Sequence, residues 1–179
     1  MAIFALICIK IIYLSNPLNA QTVITTIDLS GSSGEGISPI AIGVNPNTNR
    51  VYMANSNGDN VSVIDTSSNK LTATVTVGDS PSGIAVNTVT NKIYVANKDS
   101  DNISVIDGST GNVVATIATG DGPVGLGINS DTNRIYVANI NSNNVSIING
   151  STNIAILTLK AGSSPNGIGV NSVTNRIYV

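Results

Sequence analysis

Lys92-Ile93-Tyr94-Val95-Ala96-Asn97 is the stretch that decides the fold, because nearly the same residues return at regular intervals along the chain. Related stretches begin at Arg50, Arg134 and Arg176. Each copy is rich in the β-branched and aromatic residues that favour strands. The tyrosines keep a spacing of 42 residues without drift, and they are Tyr52, Tyr94, Tyr136 and Tyr178. Self-similarity at such a period indicates a repeat architecture.

The same period governs the residues on either side of this stretch. A proline precedes each copy, at Pro39, Pro81, Pro123 and Pro165. An asparagine closes three of the copies, at Asn55, Asn97 and Asn139. Each unit holds apolar runs of about five residues separated by Gly, Pro, Asn and Asp, which is the pattern of strands joined by tight turns. No segment of the repeats keeps a 3.6-residue periodicity, so the sequence predicts an all-β fold.

Four antiparallel strands in about 40 residues are typical of one blade of a β-propeller. The stretch 94–97, the upstream segment 81–87 and the downstream segment 102–107 resemble the YVTN-family β-propeller repeat, a WD40-like repeat of surface-layer-type proteins. The resemblance covers residues 37–179 in four in-phase copies. Two small departures from the repeat are Met53 in place of Val and Asn149 in place of Asp.

The repeats divide the chain into a partial propeller over 21–179. The predicted blades cover about 37–78, 79–120 and 121–162, and a half blade covers 163–179. Thr22 to Leu29 is predicted to form one more strand, in the place of the outermost strand of a preceding blade. The ring would stay open with these strands alone, so we expect a fragment of a longer propeller of about seven blades.

Residues 1–20 resemble a secretory signal peptide. Met1 to Leu14 is apolar apart from Lys10, and Leu18-Asn19-Ala20 fits cleavage after Ala20. The run is shorter than the roughly 20 apolar residues of a membrane span. We therefore expect export, an extracellular or cell-surface location with the periplasm as the alternative, and no membrane span in the mature chain. An uncleaved anchor and a buried strand are the other interpretations of this segment.

Composition narrows the classes of function. Charged residues make up 10% of the chain and the net charge is −2, so no basic surface for nucleic acid is expected. The chain has no histidine, and its single cysteine, Cys8, lies in the N-terminal segment. The usual general base and the usual haem and zinc ligands are therefore missing from this sequence. We expect no cofactor and no catalytic residue.

The recurring residues have structural explanations. The tyrosines are predicted to pack between blades. If Asn55 faces Asn60 across a hairpin, then Arg50 faces Asp65 and Lys92 faces Asp107 as opposite charges. Arg134 would face Asn149, with a hydrogen bond in place of the charge pair.

Loops are where function would lie on such a scaffold. Strand alternation places one set of loops at one end of the blades, and this set carries mostly acids. The opposite end carries Arg50, Lys92, Arg134 and Arg176, partly matched by Asp65, Asp107 and Asp131. We expect the acidic end to meet a cation or a cationic partner, with solvated polar turns as the simpler explanation. The residues of the acidic set are Glu35, Asp59, Asp79, Lys98, Asp99, Asp101 and Asp121.

Two further sites follow from short motifs. Asp99 and Asp101 alternate oxygen ligands as a Ca²⁺ loop does, but the glycine and distal glutamate of a complete loop are missing. Asn-x-Ser sequons could carry glycans in an exported protein, although three of them coincide with the asparagine that begins each third strand. The sequon asparagines are Asn60, Asn102, Asn144 and Asn149.

The resemblance implies a non-catalytic, exported propeller that acts as a structural or interaction module at the cell surface, with a protein or cell-envelope glycan as partner. The alternative is the propeller domain of a periplasmic enzyme, or of an electron-transfer or small-ligand protein. That alternative needs histidine, cysteine or clustered carboxylates at the propeller axis, and these would have to lie beyond Val179.

Overall fold

The computed structural model describes residues 8–13, 22–28 and 38–179, with the side chain of Ile27 as the one described in the first two ranges. The cleavage position after Ala20, most of the signal-like segment and Glu35 lie outside the described residues. Strands β1 (Cys8–Tyr13) and β2 (Thr22–Asp28) form a separate antiparallel pair.

Three four-stranded antiparallel sheets follow, each in simple sequence order. Blade one consists of β3 (Pro39–Asn45), β4 (Arg50–Asn55), β5 (Asn60–Asp65) and β6 (Lys70–Thr76). Blade two consists of β7 (Pro81–Asn87), β8 (Lys92–Asn97), β9 (Asn102–Asp107) and β10 (Val113–Ala118). Blade three consists of β11 (Pro123–Asn129), β12 (Arg134–Asn139), β13 (Asn144–Asn149) and β14 (Ile154–Lys160).

A two-stranded sheet completes the described chain, formed by β15 (Gly169–Asn171) and β16 (Arg176–Tyr178). The only helical element in the described ranges is one 3₁₀ turn at Ser56–Gly58. The predicted all-β fold of incomplete propeller blades is therefore confirmed. The apolar run of the first strand in blade two begins at Gly83, and the observed strand begins two residues earlier, at Pro81.

Asparagine and aspartate dominate the turns because the turns require positive φ. Asn91 and Asn133 end the first turns of blades two and three with φ of 53° and 49°. Asp59 and Asp101 end turns between second and third strands, with φ of 49° and 51°. Short polar side chains tolerate this left-handed conformation better than other non-glycine residues. The same polar turn residues therefore return in every blade.

The core lies between neighbouring sheets and repeats with them. Tyr52, Val61 and Val63 of blade one pack in one buried cluster with Val95 and Ile106 of blade two. Tyr94 and Val105 repeat this arrangement against blade three. Because each sheet covers the next, the blades stabilise one another by apolar burial at about 25 cal/mol per Å².

A hydrogen bond between two asparagines joins consecutive blades beside this core, and we call it the asparagine rung. Nδ2 of Asn45 donates to Oδ1 of Asn91 at 2.8 Å, and Nδ2 of Asn87 donates to Oδ1 of Asn133 at 3.0 Å. Asn129 makes the same bond at 2.9 Å to Asn175. Asn45, Asn87 and Asn129 recur at the same spacing of 42 residues, but the spacing alone does not indicate this bond.

The strand registers agree with the predicted facing pairs. The charged side chains of these pairs, however, form hydrogen bonds with other groups. Arg50 faces Asp65 and Lys92 faces Asp107. The Arg50 guanidinium instead donates to the Gly108 carbonyl of the next blade at 3.4 Å. The Asp65 carboxylate accepts from backbone N–H groups of its own turn, and these bonds, first that from Ser68, lower its pKa.

The hydrogen bond predicted between Arg134 and Asn149 is wrong. The two residues face each other, but Asn149 Oδ1 accepts from the Ser151 N–H at 3.0 Å within its own turn. The Nη1 atom of Arg134 is buried without a hydrogen-bond partner. Asn149 Oδ1 therefore hydrogen-bonds within its own turn rather than across the hairpin.

Gly43 lies where two blades approach closely. A Cβ atom built there would lie 2.5 Å from Cγ2 of Ile84 in the next blade. Blade two has Ala85 at the same position, and there the following blade presents the unbranched Cβ of Leu126 instead of isoleucine. We expect Gly43→Ala to lower the free energy of unfolding by about 1–3 kcal/mol through overpacking.

The second substitution Ile84→Leu should recover part of that loss, because it copies the Ala85 and Leu126 combination. Denaturant unfolding of both single variants and the double variant measures the coupling. Additive effects would mean that the Ile84 side chain is not what excludes the methyl group.

Candidate interaction surface

The acidic loops lie together at one end of the blades. In consecutive antiparallel strands, the turns between second and third strands share an end with the connections between blades. We call this the acidic loop end. Lys160 ends β14 at the same end, so the described residues supply two bases there rather than the one that was predicted. The residues of the acidic loop end are Asp59, Asp79, Lys98, Asp99, Asp101, Asp121 and Lys160.

Hydrogen bonds between loops hold this end in place. The carboxylate of Asp59 accepts from the Ser80 N–H at 2.9 Å, which ties blade one to the connection that leads into blade two. Asp101 accepts from the Gly122 N–H at 2.8 Å in the same way. Asn143 takes this role in blade three by accepting from Ser164 N–H at 2.8 Å. These repeated bonds make the loops one continuous polar surface.

Four aspartates of this surface are exposed, and three of them lie in successive loops, at Asp79, Asp99 and Asp121. The backbone N–H of Asp79 donates to Ser100 Oγ at 2.7 Å, and that of Asp121 donates to Ser142 Oγ at 3.0 Å. The backbone of these loops is therefore fixed while Asp79 and Asp121 stay exposed. These loops therefore present exposed carboxylates on a hydrogen-bonded backbone.

The proposed calcium ligands Asp99 and Asp101 are each engaged with a different neighbour. Asp99 Oδ2 accepts from Ser80 Oγ at 2.6 Å, whereas Asp101 accepts from Gly122 as described above. Ser80 lies in the connection that precedes blade two, and Gly122 lies in the connection that follows it. Among residues 38–179 and the two N-terminal strands, no group of three or more His, Cys, Asp or Glu side chains is placed to hold a metal ion.

The sequon asparagines are part of the turns. Nδ2 of Asn102 donates to the Ser100 carbonyl at 2.8 Å, while its Oδ1 accepts from Asn97 Nδ2 at 2.8 Å. Asn60 makes both bonds as well, and Asn144 accepts from Asn139 at 2.6 Å. A glycan on Nδ2 of Asn60 or Asn102 would be attached to an atom that already donates a hydrogen bond within the turn. Asn149 differs from these three, because it lies at the opposite end of its strand.

The asparagine that closes each second strand is buried at the edge of this surface. Nδ2 of Asn97 donates to Asn102 and to Ser104 Oγ, the latter at 2.9 Å. Its Oδ1 is buried without a hydrogen-bond partner, and the same holds for Asn55 and Asn139. The sequence showed their period but not this network. Their repeated position identifies a structural role in anchoring the loop.

The opposite end carries the bases. Lys92 Nζ donates to the Gly150 carbonyl of the following blade at 3.3 Å, as Arg50 does with Gly108. Hydrogen bonds from Thr110 and Ser109 N–H lower the pKa of Asp107 beside Lys92. Charged side chains at this end therefore form hydrogen bonds within their own turn or to the following blade.

A shallow groove of about 270 Å³ separates the outer strands of blades one and two. Its lining includes Thr76, Gly78, Val113 and Thr116. The Tyr94 ring lies deeper between blades, where burial raises the pKa of its hydroxyl to about 12. The described part of the chain contains no helix long and apolar enough to cross a membrane.

Comparison with solved structures supports a propeller-like fold. Hydrazine synthase of Kuenenia stuttgartiensis is similar with a TM-score of 0.73 and 24% identity, over 79% of this chain and 41% of that one. A functionally unknown protein from Desulfotomaculum acetoxidans is similar with a TM-score of 0.76 and 16% identity, over 90% of this chain and 53% of that one. The chain thus spans about half the length of these neighbours.

No protein-family profile matches the sequence. No curated protein matches it either. At identities below 25%, the two structural neighbours establish the fold alone. The class that the fold defines is an all-β protein built from propeller-type blades.

Proposed function

We propose that this chain is a non-catalytic interaction or structural module of the YVTN, surface-layer type, and that its acidic loop end contacts a cationic partner. The observation that carries the proposal is the exposed row of Asp79, Asp99 and Asp121 on loops that inter-blade hydrogen bonds hold in place. Preorganised loops cost less to order on binding than mobile ones. A cationic protein or a cell-envelope glycan with amino groups has the matching chemistry.

The proposed location is the cell surface or the extracellular space, with the periplasm as the alternative. It is supported by the resemblance of the repeat to surface-layer propellers and by the export-like pattern of residues 1–20. Fractionation of cells that express the full chain tests it, because most of the protein should be recovered with the envelope or the medium. Recovery in the cytoplasmic fraction would contradict the location and leave the interaction role open.

The interaction itself is tested with isolated cell-envelope fragments of the source organism. We expect the full chain to sediment with the fragments at low salt and to be released as salt rises, because exposed charges are screened. The triple variant Asp79→Asn, Asp99→Asn, Asp121→Asn should bind at least tenfold more weakly. The control variant Asp131→Asn removes an acid from the opposite end, and it should bind as the unchanged chain does. Equal loss in both variants would refute a role specific to the acidic loop end.

The alternative is a propeller domain of a periplasmic enzyme, or of an electron-transfer or small-ligand protein. One observation favours it, namely the structural similarity to a protein named hydrazine synthase. Absorbance spectra and elemental analysis of the purified chain distinguish the two. Stoichiometric haem, copper or iron would favour the alternative, and its absence together with envelope binding would favour the interaction module.

A further inference from the structure

We propose that the Asn57–Gly58 pair is a site of spontaneous deamidation, which converts Asn57 to aspartate or isoaspartate and adds a carboxylate to the acidic loop end. The pair lies in the turn that joins the second and third strands of blade one. The consequence for binding rests on the proposed function, whereas the chemical step itself does not.

The repeat singles out this position. Asn57 holds the repeat position of Asp99, which lies 42 residues further along the chain. The next residue in blade one is Gly58, where blade two has Ser100. A glycine after asparagine favours deamidation, because no side chain shields its backbone nitrogen and its backbone adopts many conformations. Blade one therefore has an amide where blade two has an acid, next to the residue type that favours conversion of the amide.

The reaction requires only the chain itself and water. The backbone nitrogen of Gly58 loses its proton and attacks Cγ of Asn57, which closes a succinimide ring and releases the side-chain nitrogen as ammonia. Water then adds to one of the two ring carbonyls and breaks the bond from that carbon to the ring nitrogen. Opening at Cγ gives aspartate, and opening at the backbone carbonyl gives isoaspartate. Both products carry a carboxylate in place of a neutral amide.

The surroundings of Asn57 leave room for this ring to close. The Asn57 side chain is exposed. Within residues 38–179, the side-chain hydrogen bonds of this loop are made by its neighbours Asn55 and Asn60. Gly58 ends a single 3₁₀ turn, whose hydrogen bonds have poorer geometry than those of an α-helix. Ring closure at Asn57 therefore disturbs only this weakly held turn.

Two further asparagines precede glycine, at Asn149 and Asn166. Asn149 lies in a complete blade and serves as the comparison. Its Oδ1 accepts from the Ser151 N–H at 3.0 Å, which holds the side chain in its own turn. The N–H of Gly150 donates to the Asn133 carbonyl at 2.9 Å, and Gly150 is buried. Both groups that have to meet for ring closure are therefore engaged elsewhere, so we expect slow deamidation here.

The product at Asn57 matches the corresponding loop of blade two. There Asp99 is exposed, and its Oδ2 accepts from Ser80 Oγ at 2.6 Å. Ser38 holds the repeat position of Ser80. The Ser38 carbonyl accepts from the Ser56 N–H at 2.8 Å, and the Ser80 carbonyl accepts from the corresponding N–H of blade two at 3.0 Å. The new carboxylate therefore has a serine in the place from which Ser80 binds Asp99.

Deamidation makes the acidic loop end more acidic in blade one. The turn of blade one contributes one acid, Asp59, whose carboxylate accepts from the Ser80 N–H. Conversion of Asn57 adds a second, exposed carboxylate to the same turn. Because a surface of one charge sign attracts partners of the opposite sign, the attraction to a cationic partner increases as the protein ages.

Peptide mass spectrometry of the aged full chain tests the site. The purified chain is incubated in neutral buffer, digested with trypsin and examined for the mass change from amide to carboxyl. The two asparagines fall in different peptides, which cover residues 51–70 and 135–160. Asn57 should convert about tenfold faster than Asn149, because hydrogen bonds have to break before the ring can close at Asn149. Equal rates, or faster conversion at Asn149, would overturn the proposal.

Unfolding and two variants control the comparison. In urea the two sites should convert at similar rates, because both asparagines precede glycine. Asn57→Gln lengthens the side chain by one methylene group and should abolish the conversion at this position. Gly58→Ser copies blade two and should slow the conversion several-fold. An Asn57 that converts in urea and stays unchanged in the folded chain would contradict the inference.

Envelope binding separates this inference from the proposed function. Asn57→Asp fixes the product charge and should bind isolated envelope fragments about twofold more tightly at low salt. Asn112→Asp is the matched control, because it adds an acid on an exposed turn at the opposite end, and it should bind as the unchanged chain does.

Two outcomes of the binding experiment have different meanings. Equal binding by Asn57→Asp and the unchanged chain, together with weaker binding by the triple aspartate variant, would overturn the consequence of deamidation and keep the proposed function. Unchanged binding by the triple aspartate variant would refute the proposed function, while the conversion of Asn57 would still be decided by mass spectrometry.

Discussion

Tyr94→Ala is expected to lower the free energy of unfolding by about 3–5 kcal/mol, the range for removing a large aromatic side chain from a core. Tyr94 is fully buried between blades two and three, in one cluster with Ile103 of its own sheet and Ile135 of the next. Truncation leaves a cavity between two sheets whose backbones are held by the asparagine rungs, so collapse is limited. Guanidinium unfolding followed by circular dichroism measures the loss.

Two matched variants test how the hydroxyl group and the burial of the tyrosine contribute to stability. The Tyr94 hydroxyl is buried without a partner, so Tyr94→Phe should be neutral or slightly stabilising. Tyr178→Ala removes a tyrosine at the same repeat position that is largely exposed, and it should cost less than about 1 kcal/mol. A Tyr94→Ala cost as small as that of Tyr178→Ala would show that the blades close over the cavity.

The blade pattern could be predicted because strand-forming residues and turn-forming residues recur together at the same period. Val, Ile and Tyr alternate over short runs, and Asn, Asp, Gly and Pro separate them at a fixed period. Strand bounds follow from this contrast to within two residues, as at Pro81. The facing pairs followed from one assumption about a single hairpin, because register in a hairpin is fixed once one pair is known.

Side-chain partners were less predictable, because they depend on neighbouring blades. Arg50 has a facing acid in its own sheet, and it donates instead to the Gly108 carbonyl that the next blade brings near. The Asp65 carboxylate accepts instead from the backbone N–H groups of its own turn, two and three residues away. Local turn bonds compete well with cross-strand pairs on an exposed edge.

The position of the acidic loops at one end of the blades could be predicted from topology. The hydrogen-bond partners of their aspartates could not. Strand alternation alone assigns the loops to ends. Whether an aspartate is free depends on contacts that sequence does not show. Asp101 is occupied by the Gly122 N–H, whereas Asp79 and Asp121 remain available to a partner. The strand Cys8–Tyr13 could not be assigned from the sequence, because an apolar strand and an export signal have the same composition.

Asn87→Ala is expected to lower the free energy of unfolding by about 2–3 kcal/mol, because three hydrogen bonds at a buried position are lost together. Asn87 Oδ1 accepts from the Val89 and Thr90 N–H groups at 3.0 and 3.2 Å, which closes the first turn of blade two. Its Nδ2 donates to Asn133 Oδ1 at 3.0 Å, which joins blade two to blade three. Urea unfolding of the full chain measures the effect.

Asn171→Ala provides the matched control, because Asn171 holds the same repeat position in an exposed setting. It retains one of these bonds, from the Thr174 N–H at 3.0 Å, so its loss should cost about 0.5–1 kcal/mol. Asn87→Asp separates the turn from the rung: it keeps the acceptor for the turn and loses the donor to Asn133. An Asn87→Asp variant as stable as the unchanged chain would mean that the rung between blades contributes nothing.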